Sequence, residues 1–187
     1  MNEYLLLKFA HIIAFVYWLG GDLGTFLASR QVVNPARSPE SRHVALKIML
    51  ACDMGPKLAM PLILPLGLHL AWLSGVLPMS GGVLAIAWIA ALYWFTVGIV
   101  LYLNEGKAFT LKLGQLDLYF RIAVVAVLLG WGAYALVNAT GADWAAWKLV
   151  IFAAMVACGI AIRLRLKPFI PAFAEMMSKG ASDAGNR

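Results

Sequence analysis

Five apolar runs, each about as long as a bilayer is thick, constrain this chain more than any other feature. A helix needs about 20 residues to cross the hydrocarbon core of a membrane. Runs of about that length lie near residues 4–29, 56–76, 83–103, 117–139 and 144–166. We therefore predict an all-α integral membrane bundle of about five transmembrane helices with a short interfacial helix, in one domain over residues 1–175.

Composition supports a membrane protein and excludes a soluble one. Of the 187 residues, 63% are hydrophobic and 13% are charged, and a soluble domain of this size cannot cover so much apolar surface with so few charges. A net charge of +6 would suggest nucleic acid for a soluble chain. Here the basic residues lie between the apolar runs, where they set topology. We expect contact with membrane lipid and no nucleic-acid binding.

The first connection is the longest, and the C-terminal tail is the most polar segment. Ser38 or Ser41 can cap a helix that runs to about Met54, either lying at the membrane surface or continuing into the second span. The tail begins with an expected interfacial turn anchored by Phe169 and Phe173. Residues 176–187 are rich in small polar residues, so we predict a disordered cytoplasmic tail there.

The distribution of lysine and arginine predicts the orientation in the membrane. Basic residues follow the first, third and fifth apolar runs, whereas the connections LPMSGG and NATGAD contain none. Because basic connections stay in the cytoplasm, the pattern predicts the orientation of a multi-pass protein, for which we expect the bacterial inner (plasma) membrane. Its N-terminus is expected outside and its C-terminus in the cytoplasm.

The first apolar run carries ionisable residues that a lipid-facing helix would not tolerate. Lys8, His11 and Asp22 fall in one stripe with Phe15 and Trp18 at about 100° per residue. Polar groups inside a membrane span face protein, a cofactor or water. This face of the first helix is therefore the leading candidate for a functional site.

A second histidine is predicted at the same depth on the neighbouring helix. His11 and His69 each lie about 10 Å below the outer surface, with Lys8 and Lys148 near that surface. Imidazoles suit haem iron, aromatic side chains suit the macrocycle, and cations suit its propionates. The alternative is that both histidines bond neighbouring helices and both lysines extend to the interface. The predicted residues of a haem b site are His11, His69, Lys8, Lys148, Trp18 and Phe15, with both histidines on the iron.

A second polar set is predicted in the inner half of the membrane. It comprises Asp22, Lys57 and Arg121. One interpretation is an ion pair of Asp22 with Arg121 or Lys57, which makes each charge tolerable. The other is a binding site for an acidic head group, a propionate or a quinone.

Two sets of small residues are assigned to packing. Gly20, Gly21 and Gly24 predict the close approach of another helix to the first span. Cys52 and Cys158 match no metal or redox spacing, so we interpret both as packing residues.

Three segments resemble a superfamily of small polytopic membrane proteins that includes HemJ-type protoporphyrinogen oxidases and CopD-type copper-resistance proteins. The opening YLLLKFAHIIAFVYWLGG is similar to their first helix, and PKLAMPLILPLGLHLAW and DWAAWKLVIFAAMVACG resemble two later helices of the HemJ group. The matching residues are Lys8, Ala10, His11, Trp18, Gly20, Trp147 and Lys148.

The resemblance implies haem b bound through His11 in a bundle of four or five helices. In the HemJ group, protoporphyrinogen IX is oxidised and the electrons pass towards quinone. We therefore expect a haem redox protein with a porphyrin or quinone as small-molecule partner, acting alone or as a homo-oligomer. The later helix of that group carries a histidine after its lysine, whereas residues 157–162 contain none, which leaves His69 as second ligand.

Two other functions stay open from the sequence. A CopD-like copper transporter or permease would use His11, Asp22 and His69, with Met54 and Met60, along a copper path. A non-catalytic membrane subunit would need no cofactor at all. No catalytic residue is assigned.

Overall fold

A computed structural model describes residues 2–179, and these residues form six helices and no strand. Five helices are long and apolar enough to cross a membrane. The predicted all-α class and the five spans are confirmed. In chain order the helices are α1 (Glu3–Val32), α2 (Pro39–Leu73), α3 (Gly81–Leu103), α4 (Phe109–Val137), α5 (Asp143–Arg165) and α6 (Phe169–Lys179).

The helix predicted in the first connection continues without a break into the second span. α2 begins after Ser38, whose Oγ accepts a hydrogen bond from the backbone N–H of Ser41 at 3.3 Å. Pro39 occupies the first helical position, where its missing N–H costs nothing. The cap at Ser38 is confirmed, and α2 becomes the longest helix at 35 residues.

α1 and α2 form an antiparallel hairpin whose closest approach is made by glycines. A Cβ atom added at Gly24 would lie 2.8 Å from Cys52 Sγ, and one at Gly55 would lie 3.1 Å from the Tyr17 carbonyl oxygen. A Cβ at Gly21 would lie 2.8 Å from the carbonyl oxygen of Cys52, whereas one at Gly20 would meet nothing within 4 Å. Close helix packing is therefore confirmed for Gly21 and Gly24 and wrong for Gly20, where an added Cβ would face open space.

α4 and α5 form a second antiparallel hairpin, and α3 packs between the hairpins against α2 and α4. A Cβ at Gly132 of α4 would lie 2.7 Å from Val150 Cγ2, so this glycine allows the close contact with α5. The hairpins also meet directly where Trp18 of α1 packs edge-on against Phe152 of α5, with ring centroids 5.6 Å apart. α1 and α5 start at the same end of the bundle and run parallel.

The bundle has two chemically different ends, named here for their side chains. The histidine end, where α1 and α5 begin and α2 ends, carries His11, His69 and Lys148. The basic end, where α2 and α4 begin and α5 ends, carries most of the arginines. The helix order therefore places the two sets at opposite ends of the bundle.

α6 covers the basic end of the first hairpin. Phe173 and Met176 pack with Val32 and Ala45 in a small buried cluster. The expected interfacial turn at Phe169 and Phe173 is thus a helix of 11 residues. Of the tail predicted to be disordered, residues 176–179 complete α6, and residues 180–187 lie outside the described part of the chain.

Candidate functional site

His11 lies in the interface between α1 and α2, opposite a glycine. A Cβ atom added at Gly67 would lie 3.0 Å from His11 Cε1, so the absence of a side chain at Gly67 leaves room for the imidazole. The ring is half-buried, and within residues 2–179 its Nδ1 is buried without a hydrogen-bond partner, as are the Nδ1 atoms of His43 and His69. An unpartnered nitrogen inside a membrane helix pair is costly, which makes His11 a candidate for binding something further.

The predicted stripe on α1 divides between two faces. Trp18 is buried and His11 is half-buried in the helix packing, whereas Lys8, Phe15 and Asp22 are exposed on the adjoining surface. The structure therefore brings His11 and Trp18 together with the protein core. Lys8, Phe15 and Asp22 remain accessible to lipid, a ligand or another chain.

Lys148 approaches the His11 region from α5. Its Nζ lies 4.7 Å from the centroid of the Trp144 ring, one turn earlier on α5. Below this level, Trp18 and Phe152 close the space between the two helices. We call this region the α1–α5 seam, with His11 and Trp18 on α1 and Trp144 and Lys148 on α5.

His69 lies on α2, on a different side of the helix from the one that faces His11. Its ring centroid is 5.9 Å from that of Trp72 and 6.4 Å from that of Trp88 on α3, and its Nε2 is 3.8 Å from a Glu3 carboxylate oxygen. Gly67 and His69 are two residues apart, so their side-chain directions differ by about 200°. Because Gly67 faces His11, the structure does not bring the two imidazoles together.

The predicted ion pair of Asp22 with Arg121 or Lys57 is wrong. Lys57 pairs with Asp53 at 2.5 Å, and Arg121 Nε pairs with Asp117 at 3.0 Å. Each cation thus uses a carboxylate four residues earlier on its own helix, where side chains are neighbours without any help from tertiary packing. Asp22 is exposed and makes no ion pair within residues 2–179.

A buried cluster around Asp117, which sequence reasoning missed, joins α4 to α5. Asp117 is 1% exposed, and its Oδ2 accepts hydrogen bonds from Arg121 Nε at 3.0 Å and Arg163 Nη1 at 2.6 Å. Arg163 Nη2 also donates to the Gly114 carbonyl at 2.9 Å, and Arg121 lies 5.0 Å over the Trp94 ring. We call this the Asp117 cluster. The spacing of Asp117 and Arg121 in an apolar run is a sequence signal for it.

The side chains that could bind a metal ion are scattered over the described part of the structure. No group of three or more His, Cys, Asp or Glu side chains that could hold a metal ion occurs within residues 2–179. His11 and His69 each stand as single imidazoles. A metal at either position would have to bring most of its own ligands, as haem iron does with four porphyrin nitrogens.

Comparisons with models of known protein families, with curated protein sequences and with solved structures find no match to this chain. The functional assignment therefore rests on the chemistry of the residues described above.

Proposed function

We propose that this chain is a membrane redox protein that binds haem b through His11. The observation that carries the proposal is a half-buried imidazole in a transmembrane helix, set opposite Gly67 of α2, around which residues 2–179 supply no metal-binding group of side chains. A lone imidazole suits a metal that arrives with its equatorial ligands already in place. Bare copper or zinc prefers three or four protein ligands.

The residues around the α1–α5 seam fit the needs of such a group. Trp144, exposed beside Lys148, offers aromatic surface for the macrocycle, and Lys148 offers a cation for a propionate. Trp18 is buried against Phe152 and bounds the site from within the bundle. Gly67 leaves the space in which the His11 ring is held against α2. These residues would hold the haem, which when bound supplies one-electron chemistry, while the protein orients the ligand and limits access of water.

The proposal gives His69 a different task from His11. Because His69 lies towards α3 on the other side of α2, it is not the residue opposite His11 on one iron. Its neighbours Glu3, Trp72 and Trp88 make it a candidate for docking an electron donor or acceptor at the histidine end. Lys8 and Phe15, exposed on α1, are left to line the outer edge of the site.

The specific reaction follows from the family resemblance. We propose that porphyrin or quinone reaches the seam from the lipid. The six electrons and six protons released when protoporphyrinogen IX becomes protoporphyrin IX would pass to three quinones, each of which takes up two electrons and two protons. We also propose that the protein lies in the bacterial inner membrane with its N-terminus outside. Its proposed oligomeric state is a homo-oligomer. The number of haems per chain distinguishes a haem held by one chain from a haem shared between two chains.

The first test is an optical spectrum of the detergent-purified protein, oxidised and then reduced with dithionite. We expect a sharp reduced α-band and, in a pyridine haemochrome assay, about one haem b per chain, because a single His11 site is available. Half a haem per chain would indicate a site shared by two copies. A protein that stays colourless after haem supplementation would overturn the proposal in favour of copper transport or a non-catalytic subunit.

Substitution of the three histidines separates the ligand from the others. His11→Ala is expected to abolish haem retention, because it removes the axial ligand, while the helices remain inserted. His69→Ala and His43→Ala are the matched controls and are expected to keep most of the haem; His43 lies near the start of α2 at the basic end, against Phe173. The readout is the ratio of Soret to protein absorbance after gel filtration. Unchanged haem in His11→Ala, or equal loss in His69→Ala, would contradict the assignment of His11 as sole axial ligand.

A further inference from the structure

The Asp117 cluster carries more positive than negative charge. It sets one carboxylate against the guanidinium groups of Arg121 and Arg163, so one positive charge has no counter-charge within the cluster. A surplus cation at the edge of a bilayer is attracted to the anionic head groups of lipids. The ion pairs found within the cluster therefore leave one anion to be supplied from outside.

Arg121 has donors that the ion pair with Asp117 does not use. Only its Nε donates to Asp117, and within residues 2–179 its two terminal nitrogens make no hydrogen bond. Its side chain is 22% exposed and that of Arg163 is 39% exposed, whereas Asp117 is nearly inaccessible. The guanidinium fork matches the spacing of two phosphate oxygens. The cluster thus presents donors, and no accessible carboxylate, to an approaching anion.

The depth of the cluster matches the level of lipid phosphates. Arg163 stands two residues before the end of α5, a helix of 23 residues. At 1.5 Å per residue α5 is about 35 Å long, slightly more than the roughly 30 Å hydrocarbon core, so Arg163 lies at the boundary. Arg121 starts about one turn deeper, but its side chain runs back along α4 to Asp117. Both guanidinium groups therefore lie near the head-group layer.

We propose that the Asp117 cluster binds the phosphodiester group of one anionic membrane lipid, with the terminal nitrogens of Arg121 and the exposed edge of Arg163 as donors. The single negative charge of such a lipid balances the surplus charge of the cluster. A zwitterionic lipid carries the same phosphate but adds a cation and brings no net charge. The site therefore discriminates by charge, and Trp94 beneath Arg121 holds the guanidinium plane in place.

The test uses the full-length, delipidated protein in detergent. Native mass spectrometry with phosphatidylglycerol and phosphatidylcholine of equal chain length, each at the same concentration, is expected to show one phosphatidylglycerol bound at least about tenfold more tightly. Equal binding of the two lipids would overturn the proposal. Displacement of phosphatidylglycerol by inorganic phosphate at a similar concentration would assign the site to a soluble anion and overturn the lipid assignment.

Three variants locate the site. Arg121→Gln is expected to remove the preference for phosphatidylglycerol, and Arg121→Lys to keep part of it because the charge remains. Arg165→Gln is the matched control, since Arg165 is exposed at the same membrane end and lies outside the cluster. Each variant is compared as the monodisperse fraction with wild-type helicity. A loss in Arg165→Gln as large as in Arg121→Gln would show general attraction to basic residues and would overturn a built site.

Discussion

Replacing Asp117 by alanine is expected to lower the free energy of unfolding by about 3 kcal/mol. The substitution leaves Arg121 and Arg163 facing each other without a carboxylate, and breaking a buried ion pair costs about 3–5 kcal/mol. We expect a loss of stability at the lower end of this range because Arg163 is 39% exposed and part of its charge can reach solvent. The measurement is the unfolding transition in a titration of dodecyl maltoside micelles with sodium dodecyl sulfate, followed by far-ultraviolet circular dichroism.

The control for Asp117→Ala is Asp143→Ala. Asp143 is also a carboxylate near a helix end, but it is exposed in the first turn of α5, where a favourable helix dipole is worth no more than about 1 kcal/mol. The double variant Asp117→Ala, Arg121→Met is expected to recover part of the lost stability, because it removes one of the unpaired cations. Equal destabilisation by Asp117→Ala and Asp143→Ala would contradict a structural role for the cluster.

Leucine at Gly21 is expected to separate α1 from α2, whereas leucine at the adjacent Gly20 is expected to be tolerated. A side chain at Gly21 runs into Pro56 and the Cys52 backbone, and no flexible group is there to move aside. Overpacking of this kind costs about 3 kcal/mol or more. At Gly20 an added Cβ meets nothing within 4 Å, and replacing a helical glycine improves the backbone by up to about 1 kcal/mol.

The two glycine variants are compared by thermal midpoint and by the amount of monodisperse protein after gel filtration. Because they differ by one position and carry the same new side chain, expression, hydrophobicity and helix propensity are matched. We expect the Gly21 variant to lose most of its monodisperse fraction and the Gly20 variant to keep it. If both behave alike, the closest approach of α1 and α2 is not at Gly21.

The architecture was predictable because it depends on long-range hydrophobicity. Each span is an apolar run of bilayer length, and this property survives any rotation of the helix about its axis. The start of α2 was predictable for a local reason, since a serine followed by proline both caps and begins a helix. The continuity of α2 through Pro56 was not decided by sequence, because tertiary packing on α1 stabilises a helix that proline alone would weaken.

The site was harder to predict because it depends on which way each helix faces. A span that is apolar all round gives little sign of its packed face, so Lys8 and Phe15 were grouped with His11 although both are exposed. What orients α1 is the glycine contact at Gly21. Asp22 was paired with distant cations because depth alone suggested it. The actual pairs use carboxylates on the same helix, a local preference that outweighed shared depth. The haem assignment itself stays a prediction.

Because α2 and α3 differ in length, the protein projects to different heights from the two faces of the membrane. The helices are joined at the histidine end and contain 35 and 23 residues, so α2 extends about 18 Å further at the basic end at 1.5 Å per residue. With α6 packed beside it, this extension forms a ridge on one side, whereas the other side is low. The ridge thus distinguishes one side of the protein from the other by its height. Height measured by atomic force microscopy would reveal the direction of insertion of each molecule in a supported bilayer without any tag.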